Sequence, residues 1–280
     1  MATIIGGIGI SHVPSIGAAL DNGKLDTEPW QRIYAGYQPA RDWLTERRPD
    51  VAVVVYNDHG AAFSLDALPT FAIGTAESYS PADEGYGRRP IATIDGDPLL
   101  SWHIVEALVN GSFDVTICQR LDVDHGLTVP LTSLWGRPAA WPVRVIPLAV
   151  NVVQLPTPTP ARCLLLGEAI GAAIAAYEPG LRVVVVGTGG MSHQLQGPRA
   201  GHINEPFDRM FLAEIGRNPA ALARLSTAEY IRAAGSEGAE LIMWLVMRGA
   251  LGADQAVSVI HQDYYVPASN TAAGVIVLEH

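Results

Sequence analysis

Residues 182–193 read RVVVVGTGGMSH: an unbroken valine run, a glycine-rich turn, then a histidine. A continuous apolar run without alternation suits a strand covered on both faces, as in a layered α/β sheet. Two further stretches repeat the arrangement. IIGGIGI at 4–10 leads to Ser11 and His12, and VAVVVYND at 51–58 leads to His59. In an open α/β sheet, residues past the carboxyl ends of the strands line the ligand crevice. Three imidazoles delivered to one rim suggest a metal site, which a helical acid in SEGAELIMW (236–244) could complete.

Working outward, strand candidates rich in Val and Ile recur at 3–9, 51–57, 70–75, 114–118, 143–151, 182–188, 256–265 and 272–279. Helix candidates fall between them. Segment 40–48 starts just after Pro39, and 97–110 opens with an Asp N-cap and a proline in the first turn. Segment 161–177 ends at Pro179-Gly180, and 205–216, 219–225 and 227–234 read as consecutive short helices. Segment 236–250 opens with Ser236 as an N-cap candidate. LPTPTP (155–160) and SPADEGYGRRP (80–90) read as loops, the first joining a strand to a helix within one domain. The pattern predicts an α/β fold: a layered α/β/α single domain over 1–280, with a central mixed, mostly parallel sheet.

At 280 residues, 49% hydrophobic and only 16% charged, the chain is excluded from the disordered class. Such low charge favours a large buried interior, or surface hidden against a partner. A net charge of -10, with no basic run beyond Arg47-Arg48 and Arg88-Arg89, disfavours nucleic-acid binding. An anionic substrate would have to be met locally, by an arginine, backbone amides or a metal. Cys118 and Cys163 lie in apolar stretches without a CxxC neighbour, and read as buried free thiols of a cytoplasmic protein. No signal peptide is expected at the start, and the apolar segment 163–177 is interrupted by Glu168 and too short to span a bilayer.

Each candidate residue also has a plain structural reading. His12 alone is a hydrogen-bonded loop residue, and Pro14 argues against an immediate helix. Asn57, Asp58 and His59 collect polar groups where a buried strand stops. The GTGGMSH turn before His193 resembles phosphate-binding loops, but lacks the P-loop lysine and the GxGxxG spacing. His125 in DVDHGLTVP lies in a predicted loop that could join the same crevice. His103 sits inside a predicted helix as half-buried structure, and His202, His261 and His280 have no supporting context. Glu237 and Glu240 lie three apart. Glu240 immediately precedes LeuIleMetTrp, where an acid is expensive to bury unless it binds a cation. The alternative is that both acids favour the helix dipole from the first turn. Two histidines and a carboxylate leave one face of a metal open, as in non-haem Fe(II) oxygenases. Zinc hydrolases share that ligand set, so the ligands leave both chemistries open.

Several longer segments go together in order: SHVP around His12, YNDH around His59, PTFAIGTAE at 69–77, PADEGYGRRP at 81–90 and DVDHGLTVPL at 122–131. They continue with GTGGMSHQLQGPRAG at 187–201, GSEGAELIMWLVMRGAL at 235–251 and PASNTA at 267–272. This series resembles the class III extradiol ring-cleavage dioxygenases, and within them the beta (catalytic) subunits of protocatechuate 4,5-dioxygenases. The resemblance implies Fe(II) held by His12, His59 and Glu240, with Glu237 left out. It makes His193 the acid/base instead of a third histidine ligand, His125 a second catalytic histidine of the pocket, and Asn57 a polar neighbour of metal and substrate. It places the ring carboxylate near Ser269 and Asn270.

The implied reaction is cleavage of protocatechuate by O2 to 4-carboxy-2-hydroxymuconate semialdehyde. Gallate or 3-O-methylgallate is the alternative substrate. A zinc-dependent hydrolase and a non-catalytic binding protein on the same fold are the rivals. The chain ends at His280, shortly after its last predicted strand, without the helical lid domain of single-chain gallate dioxygenases. A separate small helical alpha subunit, forming a hetero-oligomer, is therefore the expected partner.

Overall fold

The valines of 182–188 divide alternately between two hydrophobic cores. Val183 and Val185 join one, Val184 and Val186 the other. Residues 51–56 divide in the same way, with Val51, Val53 and Val55 in the first core and Ala52, Val54 and Tyr56 in the second. Unbroken apolar runs are therefore strands buried on both sides. The structure, a computed structural model, describes residues 1–267 and 270–280.

In chain order the elements are β1 (Thr3–Ile10), α1 (Pro14–Asp21), α2 (Trp30–Arg47), β2 (Val51–Tyr56), β3 (Phe71–Gly74), β4 (Ser78–Tyr79) and β5 (Ile94–Asp95). Next come α3 (Pro98–Asn110), β6 (Thr116–Cys118), α4 (His125–Trp135), β7 (Arg144–Val150), α5 (Pro160–Ala176) and β8 (Arg182–Thr188). The helical block follows: α6 (Glu205–Arg217), α7 (Pro219–Ala223), α8 (Thr227–Ala234), a 3-10 turn (Glu237–Leu241) and α9 (Ile242–Ala250). Strands β9 (Ser258–Tyr265) and β10 (Ala273–Glu279) close the series.

Eight strands form one mixed sheet in the order β6-β3-β7-β2-β8-β1-β10-β9, and β4 pairs with β5 apart from it. The centre, β7-β2-β8-β1, is parallel. The pairs β3–β7, β1–β10 and β10–β9 are antiparallel. Helices α3, α5, α6 and α9 cover one face, and α1, α2 and α4 the other. The fold is the expected layered α/β/α arrangement, and LPTPTP does join β7 to α5. Among the described residues, no helix is long and apolar enough to cross a membrane. Cys118 and Cys163 are buried free thiols.

Four local expectations are corrected. Pro14 opens α1 instead of preventing a helix, because the missing N–H is one that the first turn leaves unused anyway. Helix α2 begins at Trp30 and runs through Pro39, carried by the buried face of Ile33, Tyr34 and Tyr37. His125 is the first residue of α4, with Asp124 as its side-chain N-cap, and not part of a loop. The predicted helix 236–250 is a 3-10 turn followed by α9, and Ser236 makes no side-chain cap bond. Its hydroxyl donates to Glu237 at 2.6 Å instead.

Helices α5 and α9 approach backbone to backbone. A Cβ on Gly167 would overlap the Val246 carbonyl oxygen, and one on Gly249 the Leu164 carbonyl oxygen. Gly167→Ala should therefore lower stability by about 1–3 kcal/mol through overpacking, outweighing the better helix propensity of alanine. Thermal unfolding followed by circular dichroism checks this. Gly180→Ala is the control, since a Cβ there meets nothing within 4 Å. Equal melting temperatures for the two variants would refute the close-contact account.

Candidate metal centre

Strands β2, β8 and β1 are adjacent and parallel, so their carboxyl ends lie side by side. The chain leaves them at Tyr56, Thr188 and Ile10. His59, His193 and His12 follow within a few residues on the same rim, the usual ligand crevice of an open α/β sheet. Glu240 reaches that rim from the opposite direction, on the 3-10 turn that leads into α9.

The Glu240 carboxylate is the hub. Its Oε2 lies 3.1 Å from His12 Nε2 and its Oε1 3.7 Å from His59 Nε2. His193 Nε2 stands 3.9 Å from Oε2. Oε2 also accepts the Gly190 backbone N–H at 2.7 Å, and the Asn57 amide approaches Oε1 at 3.4 Å. Glycine is required beside it: Gly189 has φ +136°, and a Cβ there would come within 2.8 Å of the Glu240 Cβ. Glu237 faces elsewhere, accepting from the Leu195 backbone N–H at 3.1 Å and from Ser236.

Each imidazole is held from behind. His12 Nδ1 is 3.0 Å from the Thr188 hydroxyl, and His59 Nδ1 is 3.0 Å from Asp124 Oδ2. The same Asp124 oxygen accepts the His59 backbone N–H at 2.6 Å. A carboxylate can only accept, so His59 Nδ1 carries the proton and Nε2 faces Glu240. This is the carboxylate–histidine arrangement that orients metal ligands. His193 Nδ1–H donates to the Met191 carbonyl at 2.8 Å, which leaves Nε2 facing the cluster.

The charges also suit a cation. Burial pushes the Glu240 carboxyl up, but the surrounding imidazoles, His12 foremost, hold it well below the usual carboxylate range. Burial lowers the pKa of His12 against the pull of Glu240, which favours the neutral ligand form. Desolvation opposes a charged His59, yet Asp124 and Glu240 overcome it and raise its pKa to about 10. Without a metal this imidazole itself balances the carboxylates, and it would release its Nε2 proton on binding one. Among the described residues no lysine or arginine contacts Glu240. Its partners are imidazoles, an amide and a backbone N–H. Two imidazole nitrogens and a buried carboxylate facing one another are a donor set that a divalent metal fits. Asn57 Oδ1 adds a buried polar atom without a hydrogen-bond partner beside it.

Of the residues predicted from sequence, His12, His59, Glu240, His193, His125 and Asn57 come together. His125 stacks on His59 with ring centroids 3.9 Å apart. Ser269 lies outside the described residues. Asn270 is exposed and precedes Thr271, whose backbone bridges to His193. Sequence reasoning passed over Asp124, Thr188 and Glu84, although DVDH and PADEGYG contained two of them. Asp124→Ala is expected to weaken metal binding about 10–100-fold, as loss of such outer partners does. Competition against a chelator measures it, and unchanged affinity would remove Asp124 from the centre.

Comparison with known proteins gives the family. Residues 6–276 match the family described as the catalytic LigB subunit of aromatic ring-opening dioxygenase. A gallate dioxygenase of Pseudomonas putida is 41% identical over 199 residues, covering 71% of this chain and 58% of that protein. A 2,3-dihydroxyphenylpropionate/2,3-dihydroxicinnamic acid 1,2-dioxygenase of Rhodococcus is 30% identical, covering 81% of this chain and 68% of that one. The enzyme of the same name from Cupriavidus necator is 33% identical over the same shares. An uncharacterised Escherichia coli K12 protein shares the fold, with a TM-score of 0.62 at 14% identity over 98% of this chain and 99% of its own.

Proposed function

Because the chain belongs to the family of catalytic LigB subunits of aromatic ring-opening dioxygenases, we propose that it catalyses extradiol cleavage of a carboxylated catechol with O2 and Fe(II). His12, His59 and Glu240 are the residues that would hold the metal. The observation that carries this reading is their convergence, with His193 Nε2 alongside, at the ends of three adjacent parallel strands. When bound, iron would offer open positions to the two ring hydroxyls and O2, and a redox path that zinc lacks.

The chain's own groups supply the proton traffic. His193 accepts a hydroxyl proton at Nε2, since Nδ1–H is committed to the Met191 carbonyl. It can return that proton when the ring opens. Asn57 and His125 border the same space. A cleft of about 250 Å³, lined by Pro14, Asn22, Glu84, Tyr86, Arg89 and His125, reaches the cluster at His125. That volume is below the usual range for drug-sized ligands and suits a single substituted ring. Ser269 and Asn270 belong to the reading as contacts for the ring carboxylate, and residues 1–280 as one catalytic domain.

The 41% identical gallate dioxygenase supports gallate over protocatechuate, the substrate that the sequence resemblance implies. Metal-stripped protein should regain O2 uptake when given Fe(II) anaerobically, then gallate and air. Both oxygen atoms of labelled O2 should enter the product. Protocatechuate and 3-O-methylgallate complete the panel, and the fastest kcat/KM assigns the substrate. Turnover without O2, with one product oxygen from water, would replace this reading with a zinc-type hydrolase. The small helical alpha subunit also belongs to the proposal, and a purified chain that is monomeric and fully active alone removes it.

A further inference from the structure

The loop at 80–90 is tied down against the segment that leads into α4. Ala82 N–H donates to the Val123 carbonyl at 2.8 Å, and Val123 N–H to the Ser80 carbonyl at 2.9 Å. Asp83 Oδ1 accepts from the backbones of Gly85 and Gly87, both at 2.9 Å, which closes the turn. Arg88 pairs with Asp122 at 2.9 Å, and Arg89 with Asp21 at 2.8 Å. Between these anchors the loop carries Glu84, whose side chain is only 13% exposed.

Both oxygens of Glu84 are spent on one residue. Oε1 accepts the His125 backbone N–H at 3.0 Å, and Oε2 makes a short contact with His125 Nδ1. A carboxylate on both groups fixes the imidazole plane and prevents its flip, so Nε2 is the free nitrogen. That ring stacks on His59 at 27° and meets His12 edge-on at 5.7 Å. Nitrogens of His12, His59 and His125 lie within 4.8 Å of one another.

The geometry points to Glu84 as the positioning residue of His125, holding its Nε2 toward the place where substrate meets the metal. Asp124 already serves as the side-chain N-cap of α4, accepting from Gly126 N–H at 2.8 Å. A capping role therefore leaves the Glu84–Nδ1 contact unexplained. The two carboxylates divide the work: Asp124 orients His59, and Glu84 orients His125.

The kinetic arm of the test rests on the ring-cleavage reading, and the spectroscopic arm does not. In metal-free protein, proton NMR should show a downfield hydrogen-bonded Nδ1–H that His125→Gln assigns by its loss. It should also vanish in Glu84→Ala. In iron-loaded protein, Glu84→Ala should lower kcat about 10–100-fold, as outer-partner losses do, with KM within about threefold and iron content unchanged. Glu84→Gln, which keeps one acceptor oxygen, should fall between. Survival of the Nδ1–H resonance in Glu84→Ala overturns the proposal, and so does a kcat within twofold of the parent chain. If the parent chain cleaves no catechol acid, the function fails and the resonance alone decides the role of Glu84.

Discussion

Glu240→Ala is expected to strip the metal from the chain, while Glu237→Ala leaves it in place. Glu240 is buried, touches His12 and His59 through separate oxygens, and draws on no lysine or arginine among the described residues. Removing it leaves two imidazoles without the charge that balances a divalent ion. Breaking a buried charge pairing costs about 3–5 kcal/mol, which corresponds to ~10²–10⁴ in affinity. Metal analysis after dialysis against a weak chelator reads the effect directly. Glu240→Gln separates charge from shape, because the amide oxygen can still accept from Gly190 N–H. Affinity near that of the parent chain in Glu240→Gln would mean that the carboxylate is not a ligand. Among the described residues Glu237 holds only Leu195 and Ser236, so its loss should leave both metal content and turnover intact.

His193→Gln is expected to keep iron and substrate but lose turnover by about 10²–10⁴, the usual span of general acid–base catalysis. His193 is anchored at three points. Nδ1 meets the Met191 carbonyl at 2.8 Å, its backbone N–H meets the Ala234 carbonyl at 2.7 Å, and its carbonyl accepts from Gly238 at 3.3 Å. Such anchoring aims one nitrogen at one place, as a proton carrier requires. Glutamine can donate and accept hydrogen bonds but cannot take up the proton. Oxygen consumption at saturating substrate gives kcat, and substrate titration of the iron-loaded variant gives affinity. Full turnover would end the acid/base assignment. Loss of iron would instead make His193 a ligand, the role that strand-end spacing alone suggested.

Much of the fold was legible because burial on two faces leaves a local mark. The valine runs of β2 and β8 carry no polar face, and each proved to serve two cores. Helix starts were less legible. Pro14 reads as an obstacle to a helix and Pro39 as the residue before one, but the first occupies the opening turn of α1 and the second sits inside α2. Whether a proline breaks a helix depends on which carbonyl its missing N–H would have served and on what the helix buries.

The histidines at strand ends are visible in the chain because a buried strand must end in a turn, and polar residues gather there. The candidate third donor is only partly visible. Glu240 stands out because an apolar run follows it, where an acid is costly to bury. Glu237 offers the same group three residues away, and the direction of the 3-10 turn against Gly189 and Gly190 sets Glu240 on His12 and Glu237 on Leu195. Asp124 and Glu84 were hidden for the same reason. Each pairs with a histidine across a contact that neither periodicity nor motif encodes, 65 residues apart for Asp124 and His59 and 41 for Glu84 and His125. Strand ends follow from local composition. Which side chains meet over them follows from strand order and turn direction, and those depend on the whole chain packing at once.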